Sequence, residues 1–277
     1  MRKAPLLLVA LTATATLAAS ARADGVITSP SAMSGGSGVL APDGKVRYVA
    51  IPGRGETIVA AVRVRGGAVL RWRPLRGGFG VPVVAFDGTT GGLSGDGTTL
   101  VLATPTYNPG PVSRFPVLST ATFRPRGTIT LRGSWSFDAI SPDGATVFLV
   151  EYLSAGRDAP YRVRPFDLRA NRLLGRAIVD RREGEALMRG QPVTRGTSRD
   201  GRWAYTLYAR RGDEPFVHAL DTVRREAFCI DLPLRLGQGA QMGLRLELES
   251  SGAELAVRRG VATVAVVDTR TFEARRS

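Results

Sequence analysis

Apolar and polar positions alternate along this chain in short runs, and turns of one recurring composition separate the runs. In Ala145–Tyr152, Thr146, Phe148, Val150 and Tyr152 point to one side of an extended strand. Ala145, Val147, Leu149 and Glu151 point to the other. Both sides are largely apolar. A strand with two dry faces belongs inside a stack of sheets, where it has no half-wetted surface to present. The stretch ISPDG, Ile140–Gly144, leads into this strand.

That stretch returns. VLAPDGKVRYVA covers Val39–Ala50, GLSGDGTTLVLA covers Gly92–Ala103 and AISPDGATVFLV covers Ala139–Val150. GTSRDGRWAYTL covers Gly196–Leu207, and ELESSGAELAV covers Glu247–Val257 with Ser251 in the aspartate's place. The closing glycines, Gly44, Gly97, Gly144, Gly201 and Gly252, lie 53, 47, 57 and 51 residues apart. Such periods suit a four-stranded propeller blade with long loops. The turn residues have separate tasks. Proline fixes φ at the first corner, aspartate caps backbone N–H groups, and glycine takes the positive φ that closes a hairpin.

A second element repeats behind the first. VHALDTVRRE (Val217–Glu226) matches VAVVDTRTFE (Val264–Glu273), and RVRPFDLRAN (Arg162–Asn171) is a looser version. Asp167, Asp221 and Asp268 are expected to end a third strand at the turn into a fourth. RFPVLSTATF (Arg114–Phe123) and AVRVRGGAVL (Ala61–Leu70) are the weaker equivalents in the earlier repeats. Together, the SPDG turn with its apolar strand and the V-x-x-x-D-T element resemble the repeats of TolB-type and YncE-type β-propellers. The resemblance implies a propeller over nearly the whole of residues 24–277. It implies nothing definite about activity, because binding scaffolds and enzymes share this repeat.

The expected fold is therefore all-β: one propeller of five four-stranded blades, closed by a blade that joins N- and C-terminal strands. The missing strand of that blade would come from the tail Thr271–Arg276 or from GVITS, Gly25–Ser29. Joining the ends would remove exposed sheet edges. Beyond a turn or two no helix is expected, and REGEAL (Arg182–Leu187) is the best place for one.

Composition changes the picture mainly at the N-terminus. Arg2 and Lys3, an uncharged apolar stretch from Pro5 to Ala19, and Ala21-Arg22-Ala23 have the form of a cleavable signal peptide. Cleavage is expected after Ala23, which leaves residues 24–277 as the propeller and places the protein in the periplasm, the cell envelope or outside the cell. The apolar stretch is too short for a comfortable membrane span, and no second one follows. The single cysteine, Cys229, rules out an intramolecular disulfide, so packing must supply the stability. The formal charge is +14, and lysine occurs only at positions 3 and 45. So arginine-rich a chain looks like the product of genome composition, as in bacteria of high GC content; the functional alternative is a weak attraction to anionic envelope polymers. The arginines are scattered along the sequence and form no recognisable nucleic-acid module, so no nucleic-acid partner is expected.

Catalytic signatures are sparse. His218 is the only histidine, and no Gly-x-Ser-x-Gly stretch accompanies it. Zinc and copper sites need more His and Cys than the chain has. Calcium needs only oxygen ligands, but the recurring Asp-Gly pairs are explained by turn geometry. GQGAQMG (Gly237–Gly243) has its third glycine one residue late for a dinucleotide loop and reads as a plain loop. The RGD at Arg211–Asp213 reads as a hairpin between the second and third strands of its blade. No metal, cofactor or catalytic residue is expected.

The innermost strands of a propeller line its channel. Counting back from the turn glycines brings Asp87, Ser134, Gln191 and Gln241 to one level, with Trp135, Asp138 and Arg195 nearer the turn. Asp87, Trp135, Asp138, Gln191, Arg195 and Gln241 form the expected channel-mouth site. It suits a polar ligand, a glycan for instance, with Trp135 as a stacking platform. The alternative is that these groups satisfy one another around channel water. The expected function is thus a non-catalytic, monomeric scaffold that binds a protein or polar ligand. The alternative function is a glycan hydrolase using Asp87 and Asp138, for which two converging carboxylates would be needed.

Overall fold

The computed structural model describes residues 35–105, 111–156, 159–180, 182 and 187–277. The expected signal peptide, the stretch Gly25–Ser29 and most of REGEAL lie outside them. Among the described residues no helix is long and apolar enough to cross a membrane.

Five antiparallel sheets follow one another along the chain. Sheet one contains β1 (Val39–Leu40), β2 (Val46–Pro52), β3 (Glu56–Arg63) and β4 (Val69–Arg76). Sheet two contains β5 (Thr99–Val101), β6 (Val112–Ser119) and β7 (Pro125–Arg132). Sheet three contains β8 (Ser134–Ile140), β9 (Thr146–Tyr152), β10 (Tyr161–Asp167) and β11 (Arg172–Leu173). Sheet four contains β12 (Gln191–Thr197), β13 (Trp203–Ala209), β14 (Phe216–Asp221) and β15 (Glu226–Asp231). After one helical turn, α1 (Gln238–Gln241), sheet five contains β16 (Leu244–Leu248), β17 (Glu254–Arg259), β18 (Ala262–Asp268) and β19 (Ala274–Arg276). The tail supplies the fourth strand of sheet five, and no sheet among the described residues combines strands from both ends of the chain. The helical turn corrects the reading of GQGAQMG as a plain loop.

Sheet two has an irregular inner edge. In place of a full strand it has an isolated bridge, Leu93 to Leu100, with the Ser94 N–H donating to the Thr99 carbonyl at 3.0 Å. Glycine and proline at Gly77, Gly78, Gly80, Pro82, Gly88, Gly91 and Gly92 explain why no long strand forms there. The same segment reaches across to sheet four. The N–H groups of Phe86 and Asp87 donate to the carbonyls of Pro192 and Val193 at 2.9 and 3.1 Å. A bulge in β12 between Pro192 and Thr194 leaves Val193 out of the ladder, and so frees its carbonyl for that bond.

The turns carry the repeat as expected. Gly44, Gly97, Gly144, Gly201 and Gly252 have φ of +70, +71, +68, +72 and +74°. In three of them a serine two residues before the aspartate completes the turn. The Ser94, Ser141 and Ser198 hydroxyls donate to Asp96, Asp143 and Asp200 at 2.5, 2.6 and 2.5 Å. The same hydroxyls accept the N–H of Thr99, Thr146 and Trp203. Asp167, Asp221 and Asp268 end β10, β14 and β18, and each carboxylate accepts two following N–H groups. The next residue ties both elements together. Thr222 and Thr269 donate to the carbonyls of Arg202 and Gly252, each at 2.7 Å. In all five sheets the backbone N–H at this position also donates back to the first hairpin, so the two sequence elements recur together.

Packing runs in series. Separate clusters of buried apolar residues join sheet one to two, two to three, three to four and four to five. Strand β9 shows the principle. Val147 and Leu149 pack towards sheet two, while Phe148 and Val150 pack towards sheet four. Among the described residues no such cluster joins sheet five to sheet one. The outer face of sheet five carries the ion pairs Glu254 to Arg275 at 2.9 Å and Glu247 to Arg258, around a buried apolar pair, Ala256 and Val266. The outer face of sheet one is apolar. Cross-strand register aligns Val49, Ala60 and Trp72 in one row, and Ile51, Ile58 and Pro74 in the next.

Candidate functional site

Residues of sheets one to four line a cavity of about 260 Å³. Its walls are mainly apolar, from Leu40, Val84, Leu93, Phe137 and Ile140, with Ser94, Thr90 and Ser198 among them. Asp138 and Arg195 give it its charge.

Asp138 reaches the cavity because β8 bulges there. Phe137 opposes Leu149 and Ala139 opposes Phe148, which leaves Asp138 as the extra residue. A bulge re-aims the side chain it carries. Asp138 is 3% exposed. Arg195 grips it twice, donating through Nη2 to Oδ1 and through Nη1 to the Asp138 carbonyl. The guanidinium is itself fixed by Nε donating to the Thr206 hydroxyl at 2.8 Å. Such two-point pairing is the strong form of a charge-assisted contact. It leaves one acceptor unused: Oδ2 of Asp138 is buried and has no hydrogen-bond partner among the described residues.

The other expected site residues lie elsewhere or are occupied. Trp135 is buried between sheets two and three, and its indole N–H donates to the Arg132 carbonyl at 2.8 Å. Gln241 is wholly buried in α1. Its amide accepts from the Arg210 N–H and donates to the carbonyls of Asp213 and Leu236. Asp87 is exposed, and its carboxylate accepts from the N–H and hydroxyl of Thr89 at 2.9 and 2.6 Å. Gln191 is buried at the start of β12, close in sequence to the carbonyls that hold Phe86 and Asp87. The structure therefore brings Asp138 and Arg195 together at the cavity; Trp135, Gln241, Asp87 and Gln191 are not among the residues lining it.

Sequence reasoning missed a polar row that leaves this pair. Register aligns Arg195, Thr206, His218 and Cys229 across β12 to β15. The only histidine and the only cysteine thus meet, with Nδ1 and Sγ 3.8 Å apart. His218 is 1% exposed, and burial pushes its pKa down to about 4, against the pull of Asp138. A neutral imidazole does not hold a thiolate, so this contact has the character of packing. The alternation of β14 and β15 was the signal that could have paired them.

Sheet one is basic without compensating ion pairs. Between Asp43 and Arg76 there are eight basic residues and two acidic ones. The ion pairs among the described residues all fall between Asp138 and Arg275. Sheet one carries none.

No protein-family model matches the chain, and no curated protein does. Solved structures similar to it include TolB from Acinetobacter baumannii, 13% identical over 83% of this chain and 52% of that one, with a TM-score of 0.44. A structure described as putative TolB from Agrobacterium tumefaciens is 16% identical over 86% of this chain and 78% of that one, with a TM-score of 0.46. The Myceliophteria thermophila Cps50 (Swd1) β-propeller domain is 11% identical over 82% and 64%, with a TM-score of 0.48. The chain spans less than two thirds of the first and third of these.

Proposed function

We propose that this chain is an exported, non-catalytic β-propeller of five blades that binds a small hydroxylated ligand in its axial cavity. The observation that carries the reading is the buried Asp138–Arg195 pair in the wall of a cavity large enough for a small molecule, with Oδ2 of Asp138 buried and without a partner among the described residues. Leaving a buried acceptor unmet costs about 1–3 kcal/mol, which a hydroxyl donor would recover once the carboxylate turns towards it. The apolar walls suit the carbon skeleton of the same ligand. Export rests on the N-terminal sequence pattern, and the blade count on the five turns and five sheets.

A hydrolase would need two converging carboxylates free to act as acid and base. Here Asp138 is held by Arg195, Glu151 by Arg162 and Arg164, and Glu247 by Arg258. That favours binding over turnover.

A thermal-shift screen of monosaccharides and polyols tests the reading. At least one compound should raise the melting temperature of wild type. The rise should vanish in Asp138→Asn and in Leu93→Trp, which fills the cavity without touching the ion pair. Equal shifts in all three proteins would remove the site.

A further inference from the structure

We propose that the outer face of sheet one docks an acidic, amphipathic segment of a partner protein. The proposal does not depend on the axial cavity. Three features of one surface carry it.

The first is exposure. Trp72 is 63% exposed, Val69 59% and Ile51 58%, and Leu40 and Leu70 are also exposed. All but Leu70 are placed on one face by cross-strand register, with Leu70 at the bulge between Val69 and Arg71. A contiguous apolar patch of this kind marks an interaction site on a soluble protein. The second is the lattice of the patch. Its side chains stand along four strands, at the spacing of a sheet, which fits a facing helix or strand. Insertion into a bilayer calls for a protruding tip, and these residues lie along the strands of a face. The third is charge. Register puts Arg47 and Arg76 on the face of Trp72, and Arg54 and Arg65 stand in the turns at its two ends; none forms an ion pair among the described residues.

Charge decides between occupants. A second copy would bring the same arginines against these and be repelled. The outer face of sheet five offers two charge pairs within itself, and its apolar pair, Ala256 and Val266, is already buried. Carboxylates around an apolar anchor would satisfy both halves of the surface, and complementary charge would speed their encounter.

The test uses the full chain and a synthetic helix of leucine and glutamate, about 18 residues long. A control peptide has lysine in place of glutamate. Trp72 fluorescence should shift to the blue with the acidic peptide and not with the basic one. Affinity should fall about tenfold in Trp72→Ser, as for an interface anchor, and fall comparably in the double variant Arg54→Glu, Arg76→Glu. Moderate salt should weaken it further. Both variants alter exposed side chains, and unchanged circular dichroism would confirm that they fold. The proposal fails if neither peptide binds. It also fails if phosphatidylglycerol vesicles bind through Trp72 while the acidic peptide does not. A concentration-dependent dimer lost in Trp72→Ser would overturn it in favour of self-association. Trp72 already shielded from a soluble quencher in the isolated chain would overturn it too, since the chain would then cover its own face.

Discussion

Gly144 and Gly252 occupy the same place in their turns and have nearly the same φ, yet their surroundings differ. A Cβ at Gly144 would lie 2.5 Å from the Thr99 hydroxyl and 2.9 Å from its Cβ, whereas one at Gly252 would meet nothing within 4 Å. Gly252→Ala should cost only the left-handed strain, about 1–2 kcal/mol. Gly144→Ala should cost distinctly more, because Thr99 is buried and has little room to withdraw. Urea unfolding of the two variants measures the difference. These turns were legible in the sequence because their chemistry is local. Aspartate, glycine and the strand they start lie within a few residues of each other. The serine of three of these turns is a further local signal, since Ser94, Ser141 and Ser198 stand at one offset. Pairing Asp138 with Arg195 was beyond sequence reading. The two lie 57 residues apart, and nothing in SWSFDAI marks the bulge that turns Asp138 inward. Trp135 and Gln241 were sorted by level along the strands, yet their polar atoms are consumed by nearby carbonyls.

Sheet four as an element holds a titratable group that the other sheets lack. His218 is neutral in the fold, with a pKa near 4 against 6.5 for the free side chain. The unfolded chain therefore binds a proton more readily. Stability is fully present above pH 6.5 and is lost as pH falls towards 4. The loss is on the order of 3 kcal/mol for such a shift. Asp138, Arg195 and Asp180 all bear on this ring, and the two carboxylates oppose part of the effect of burial. The turn carboxylates act in a separate window. The Ser141 hydroxyl holds Asp143 below the usual range, and the Ser198 hydroxyl does the same for Asp200. Their contribution is lost below about pH 4. In His218→Gln, the slope of unfolding free energy between pH 6.5 and 4 should flatten, while the steeper loss at lower pH remains. Denaturant titrations across that range would show it. Strand ends at this scale matched the sequence well, since Asp167, Asp221 and Asp268 announce them. The inner edge of sheet two did not, because its glycines and prolines remove the alternation that reveals a strand.

For the whole molecule, coupling in series has a measurable outcome. Sheets two, three and four share an apolar cluster with a neighbour on each face, while among the described residues sheets one and five share one on a single face. Local opening is easiest where buried apolar contacts are fewest. Amide hydrogen exchange should therefore be slowest in β9, β10 and β13, and faster in β3 and β17. Uniform protection across the five sheets would mean that sheets one and five support each other as neighbours. The periodic turns made the number of sheets readable from sequence. They did not reveal how the first and last sheets meet, because the turns carry no information about a face.

The strap from Phe86 and Asp87 to β12 sets this chain apart from an ordinary tandem array. Units of such an array touch only their immediate neighbours, so copies can be added or deleted while each junction survives. Here two backbone bonds connect units that are not adjacent. Duplicating sheet three, or excising it, would pull the strap out of reach of its acceptors. Growth of this architecture by gene-internal duplication is thereby blocked at its centre and left open only at its two ends.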